Sequence, residues 1–218
     1  MAQNMENIVE LARSDPPPES MLDLGCDAGG RTSWMAAHTG VAEVHGIEIS
    51  PDRAEMARSR GVRAKVGDLG KRLPYDDASF DLVVSNQVIE HVEDTDKFVR
   101  EAYRVLRPGR RAVISTENLA SWHNVLSLVL GWQPFSLANV SEEAMAIGNP
   151  LGIHRGESGE ERGHLRVFAY RGLQELFALH GFSVDAIRGA GYYPLPRGLA
   201  RLDPRHAAFI TIRAHRPA

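Results

Sequence analysis

A chain of 218 residues, 43% hydrophobic and 24% charged, has enough apolar material for one full core and too little length for two comfortable ones. Its formal net charge of -3 offers no basic face to nucleic acid, and no apolar run approaches the roughly 20 residues of a membrane span. One cysteine, Cys26, cannot form an internal disulfide and points to a reducing compartment. The first residues, "MAQNMENIVELARSD", carry acids and amides where a secretion signal has a basic patch and an apolar core. A cytoplasmic protein is therefore expected.

Residues 1–19 read as an N-terminal helix and a Pro-rich linker. From there to residue 116, short apolar runs alternate with helical ones. Strands are predicted over 20–25, 42–49, 62–67, 80–86 and 111–116, nearly continuous in apolar residues as buried parallel strands are. Helices are predicted over 30–38, 51–60 and 95–106, the second opened by Ser50-Pro51-Asp52 and the third stopped by Pro108-Gly109. Residues 117–165 lose this pattern and break into amphipathic pieces, Trp, Gly and Pro. A stretch that long is not plain loop in a compact domain, so a helical cap is expected. A helix at 170–180, then "FSVDAIRG" and "HAAFITIRAH", closes the chain over 166–218. Strand-helix-strand repetition implies right-handed crossovers, here an α/β fold. The expected sheet is doubly wound, mostly parallel, seven-stranded and Rossmann-like, with helices on both faces and the cap inserted, all in a single domain.

The stretch "MLDLGCDAGGRT" at 21–32 is a strand followed by a glycine-dense turn, the place where an open α/β sheet offers backbone N–H groups to a ligand. Glu48 ends the next strand about 20 residues on, where a carboxylate accepts ribose hydroxyls. Together they imply an adenosine-containing ligand. The glycines fall at 25, 29 and 30 rather than in the G-x-G-x-x-G spacing of dinucleotide sites. Asp27 would add negative charge beside a pyrophosphate, whereas a ligand carrying an ammonium and a sulfonium tolerates it.

The chain resembles the class I S-adenosylmethionine-dependent methyltransferases, in particular the group containing ubiquinone and menaquinone methyltransferase-like enzymes. The resemblance rests on "MLDLGCDAGGRT", "VHGIEISPDRAEMAR" and "VGDLGKRLPYDDASFDLVVSNQVIEHVEDTDKFVREAYRVLRPGRRAVIST", and covers residues 20–116. It implies S-adenosylmethionine as cofactor, with S-adenosylhomocysteine as product. It implies that Asp23 and the turn of Gly25, Cys26, Asp27 and Gly29 hold the methionine portion, and that Glu48 takes the ribose. Ile49 would pack beside adenine, Asp68 would meet its amino group, and Leu69 would supply a backbone N–H. Asn86 and Gln87 would lie under the methionine part, facing the substrate. Two positions depart from the family pattern: Asp27 and Arg110 stand where glycine is common. Asp enters the left-handed region more readily than most residues, so the turn is expected to survive, and Arg110 is expected on a surface turn.

Methyl transfer from a sulfonium is an in-line displacement in which the protein chiefly positions the reactants and removes a proton from a hydroxyl or amine acceptor. Histidine suits the second task. His91, in "VIEHVED", is one candidate base, with a helix cap or carbonyl contact as its structural alternative. His164, in "RGHLRVFAYRGLQELF", is the other, with a cap or salt-bridge cluster as its alternative; His123 and His154 also lie in the irregular region. Trp122, Leu126, Val129 and Leu130 share one helical face, read as packing. Tyr192 and Tyr193 either line the pocket mouth or pack. Asp76, Asp77, Asp203 and His206 are expected to be solvated, and "HRGESGEERGH" at 154–164 has the composition of a mobile loop. The histidines are scattered along the sequence, so no metal is expected. The expected partner is a small-molecule acceptor, without nucleic acid or a membrane span, in a monomer or homodimer. Two other readings compete: a non-catalytic relative that binds the cofactor or a protein partner, and a nicotinamide-dependent oxidoreductase.

Overall fold

The apolar runs become strands β1 (Ser20–Leu24), β2 (Glu43–Glu48), β3 (Arg63–Val66), β4 (Phe80–Asn86) and β5 (Leu106–Glu117), followed by β6 (Ser183–Ala190) and β7 (Phe209–His215). The computed structural model describes residues 2–137, 147–151 and 163–218. One seven-stranded sheet has the order β3-β2-β1-β4-β5-β7-β6. Strands β1 to β5 are parallel, and β7 is antiparallel between β5 and β6. The order reverses between β1 and β4, so the crevice of the fold opens at the carboxyl ends of those two strands.

Helices α1 (Ala2–Ala12), α2 (Gly30–Thr39), α3 (Pro51–Ser59), α4 (Thr95–Val105), α5 (Trp122–Val129) and α6 (Tyr170–Leu179) connect or flank the strands. Ser50 caps α3 by accepting from the Arg53 amide, and Asp94 caps α4 by accepting from that of Lys97. Alternation along β1 divides the core. Met21 packs with Met5, Ile8 and Met35 beneath α1 and α2. Leu22 and Leu24 pack with Phe98, Val99 and Phe177 beneath α4 and α6.

Three features differ from the sequence expectation. The fifth strand begins at Leu106, where α4 has just ended, and pairs with Phe80 before the register shifts and resumes at Arg111. Pro108, with no N–H to give, and Gly109, at φ 73°, occupy the irregularity. Arg110 is not merely on a surface turn: with Arg107 it pairs with the buried Asp81, at 3.1 and 2.9 Å. The N-terminal helix also does more than precede a linker. Asn4 Oδ1 accepts from Ser115 Oγ and Thr211 Oγ1 while its amide donates to Asn86 Oδ1, and Asn7 donates to the Gly189 carbonyl. These fully or nearly buried amides plug α1 into the sheet across β4, β5, β6 and β7.

The cap is described in part. It contains α5 and a short 3-10 turn, Phe135–Leu137; His154 and most of the expected mobile loop lie outside the described residues. The expected apolar packing of α5 is overturned. Trp122, Leu126, Val129 and Leu130 are all exposed, Val129 at 77%, while Asn124 and Ser127 are buried. The helix docks through polar groups instead: Asn124 donates to the Asn118 carbonyl and Ser136 Oγ and accepts from the Ser136 amide.

Candidate functional site

At the carboxyl end of β1 the chain turns through Gly25 (φ 88°), Asp27 (φ 49°) and Gly29 (φ 80°) before entering α2. Glycine is required twice. A Cβ on Gly29 would stand 2.8 Å from Ala57 Cα, and one on Gly25 would stand 2.5 Å from a Val88 methyl. Asp27 adopts the left-handed conformation that its short polar side chain permits, and its carboxylate faces Arg53 of α3 at 3.3 Å. The departure from glycine at position 27 therefore leaves the turn intact.

A pocket at this turn is lined by Asp23, Gly25, Cys26, Asp27, Arg31 and Asn86, among others. Asp23 is buried. Its Oδ2 accepts from Thr32 Oγ1 at 2.6 Å, while its Oδ1 has no hydrogen-bond partner among the described residues. Burial pushes its carboxyl up to about 7 against the pull of Thr32 and Arg31. An orphaned buried carboxylate oxygen in a pocket is a group that a cationic ligand satisfies. Cys26 points elsewhere: it packs with Ala54, Ala57, Val62 and Ala64, and burial pushes its thiol up to about 12, so the side chain is inert and only its backbone belongs to the turn.

Glu48 ends β2 with each carboxylate oxygen held by one backbone amide, Oε2 by Asp27 and Oε1 by Ser50, at 3.0 and 2.9 Å. A carboxylate oxygen accepts more than one hydrogen bond, so these contacts orient Glu48 and leave acceptor capacity for two hydroxyls. Ile49 beside it is 58% exposed, an apolar side chain with a free face. The end of β3 is tied to the same point, since the Gly67 amide donates to the Glu48 carbonyl. Asp68 follows, accepting from the Gly70 amide and facing Lys71 at 3.3 Å, with Leu69 half-buried beside it. Of the two residues after β4, Asn86 reaches the pocket, whereas Gln87 turns at φ 58° and bonds Ser115 through both its amide and its side chain.

A larger hollow, about 550 Å³, opens at the amino ends of β1, β2 and β4, lined by Ser20, Glu43, His45, Tyr75, Phe80 and Arg107. It lies at the opposite end of the strands from the turn. Size does not make it the site of this fold, because the crossover geometry directs helix N-termini and loop amides to the carboxyl ends.

On the β4–β5 side of the same edge, the 3-10 turn Ile89–His91 places Glu90 in the interior and His91 at the border. The amides of Leu165 and Arg166 both donate to the Glu90 carbonyl, and Arg166 reaches the carbonyls of Val92 and Glu93. This clamp carries His164 to within 4.9 Å of His91, ring centre to ring centre. His164 Nδ1 meets the Ser136 carbonyl at 2.7 Å and lies 3.7 Å from Glu117. Each histidine expectation is sharpened: both candidate bases lie in one cluster, and His164 is clamped by the cap rather than capping a helix. The expectation that histidines are scattered is corrected, since ligand atoms of Glu90, His91 and His164 lie within 4.8 Å of one another. His123 stands apart, against Phe135 and Tyr193.

The expected solvation of Asp203 and His206 is also corrected. Asp203 Oδ2 accepts from Tyr192 OH at 2.5 Å and meets His206 Nδ1 at 2.8 Å. Trp122 donates to the same Tyr192 oxygen and stacks on His206. Asp77 remains largely exposed, yet accepts from Arg104 at 2.7 Å. Sequence reasoning missed Thr32, Asn4 and this aromatic cluster. "GGRT" carried a signal for Thr32; nothing local marked the other two.

Residues 22–114 match the family described as "Methyltransferase domain". That stretch runs from β1 into β5 and includes the glycine turn, Asp23 and Glu48. Norajmaline N-methyltransferase of Rauvolfia serpentina is 41% identical over 104 residues, 44% of this chain and 35% of that protein. A probable tocopherol O-methyltransferase of Oryza sativa subsp. japonica is 38% identical over 110 residues, 47% of this chain and 30% of that one. The matched region thus spans about a third of these curated relatives. Among solved structures, an S-adenosylmethionine-dependent methyltransferase of Thermotoga maritima, described as a possible histamine N-methyltransferase, superposes with a TM-score of 0.66. It is 20% identical, and the match covers 99% of this chain and 88% of that one. At that identity the likeness speaks for the fold.

Proposed function

We propose that this protein transfers a methyl group from S-adenosylmethionine to a small-molecule acceptor through an oxygen, nitrogen or carbon nucleophile. The observation that carries the reading is the pairing, at one crossover, of a buried carboxylate oxygen without a partner (Asp23) and a carboxylate pre-oriented by two amides (Glu48). The first suits the cationic methionine portion, the second the ribose, with Ile49 offering a face to adenine and Asp68 and Leu69 closing its far edge. Asn86 lines the methionine end and is itself held by Asn4.

When bound, the cofactor supplies an electrophilic methyl on sulfur. The chain's own residues hold the donor, exclude water and place the acceptor under the cap. Proton removal falls to the side of the edge where His91 and His164 meet. The acceptor enters over α5 and the 190–200 loop, whose exposed Leu126, Val129, Tyr193 and Leu195 form the apolar surface there. The buried unpaired thiol supports a cytoplasmic setting, and no described helix is long and apolar enough to cross a membrane.

The test is transfer of label from methyl-tritiated S-adenosylmethionine into fractions of a metabolite extract. Label in a small organic product supports the reading. Tight S-adenosylhomocysteine binding with no transfer to any fraction would instead make the chain a non-catalytic binder.

A further inference from the structure

We infer that Glu90, His91 and His164 form a binding site for a divalent transition-metal cation, with Zn²⁺ the best fit to their chemistry. The inference goes beyond methyl transfer and stands whether or not that reading holds. A carboxylate and two imidazoles make a donor set that suits Zn²⁺ and its first-row neighbours far better than Mg²⁺ or Ca²⁺, which take oxygen ligands.

Three observations support it. The ligand atoms lie within 4.8 Å of one another. Pairs of ligands around tetrahedral Zn²⁺, at about 2.0–2.2 Å from the metal, stand roughly 3.5 Å apart, so closing on a cation requires about an ångström of side-chain movement. Glu90 is fully buried, and its Oε1 has no hydrogen-bond partner among the described residues, while Oε2 accepts from Thr116 Oγ1 at 2.9 Å. An interior carboxylate oriented on one oxygen and unsatisfied on the other is costly without a cation or proton. His164 meets the Ser136 carbonyl through Nδ1. A carbonyl only accepts, so Nδ1 carries the proton and Nε2 is the basic nitrogen. A backbone carbonyl behind one imidazole and a hydroxyl behind the carboxylate are the outer contacts that metal ligands characteristically have.

His91 and His164 are half-buried, which gives a cation a way in. A bound cation would turn these imidazoles from bases into ligands, and coordination would then lower the pKa of an acceptor hydroxyl.

The test uses the full chain, stripped with a chelator and dialysed. Titration with Zn²⁺ against a chromophoric indicator is expected to show one site of micromolar affinity or better. Co²⁺ is expected to give visible bands of a four- or five-coordinate complex. Glu90→Gln and His164→Gln should each lower affinity at least a hundredfold, and Thr116→Val about tenfold; His38→Gln, remote on α2, should leave it unchanged. His164 is partly exposed, so its variant keeps the test intact if Glu90→Gln does not fold. Absence of a micromolar site in the wild type, or undiminished binding in folded His164→Gln, overturns the inference. S-adenosylhomocysteine affinity, measured on the same samples, separates this failure from failure of the methyltransferase reading.

Discussion

The carboxyl edge of the sheet has two halves built in opposite ways. On the β1–β2–β3 side, the carboxylates of Asp23, Glu48 and Asp68 are held by atoms close in sequence or one strand away: Asp23 by Thr32, Glu48 by the amides of Asp27 and Ser50, and Asp68 by that of Gly70. On the β4–β5 side, groups meet across long stretches of chain. His164 reaches His91 through a clamp on the Glu90 carbonyl, and Tyr192 joins Trp122 to Asp203. The contrast teaches that groups fixed by near neighbours in sequence can be written into short motifs, whereas groups that meet across long stretches depend on how the chain after β5 folds back.

Asn4 is the joint between the halves, bonding Asn86 on one side and Ser115 and Thr211 on the other. Asn4→Ala strands three buried partners and should cost about 3 kcal/mol of stability in urea unfolding, at roughly 1 kcal/mol or more for each lost buried hydrogen bond. Near-neutral behaviour would mean that the halves hold their shape without α1.

The next effect belongs to the motif-encoded half alone. Glu48→Ala should weaken S-adenosylhomocysteine binding by about 1.5–3 kcal/mol in calorimetry, the range for hydrogen bonds to a charged group. Unchanged affinity would remove the ribose assignment.

Asp23 gives the same half a pH signature. Its carboxyl is raised to about 7 in the folded protein by burial, and the ammonium group of a bound ligand, present in S-adenosylhomocysteine as in S-adenosylmethionine, favours the ionised form. Affinity for S-adenosylhomocysteine should therefore rise from pH 6 to pH 8, by at most tenfold per unit, and flatten above. For stability the sign is opposite. The folded state holds this proton after the unfolded chain has lost it, so the contribution declines as pH rises from about 4 to about 7 and is level beyond. Asp23→Asn should abolish both slopes.

The smallest effect is expected on the cap side. Tyr192→Phe removes the hydroxyl shared by Trp122 and Asp203 and should shift Trp122 emission while leaving cofactor affinity unchanged. A loss of cofactor affinity there would dissolve the distinction between the halves.

The same contrast explains how much was legible in the sequence. Periodicity in 20–86 gave the parallel strands to within a residue or two, because buried parallel strands are written as uninterrupted apolar runs. The fifth strand was foreshortened because Pro108 and Gly109 look like a stop and are in fact a bulge. The apolar face of α5 misled in the other direction: helical spacing predicts a buried stripe, but the helix docks through Asn124 and Ser127. The Glu90–His91–His164 cluster had no local signature, since its members are brought together by backbone hydrogen bonds that no spacing rule encodes.

The central claim is that the crossover between β1 and β4 holds an adenosyl compound bearing positive charge. Calorimetric titration of the wild-type chain with S-adenosylhomocysteine and, separately, with NAD tests it most directly. The account predicts a single micromolar site for the first and no measurable heat for the second; micromolar NAD binding with none for S-adenosylhomocysteine would contradict it.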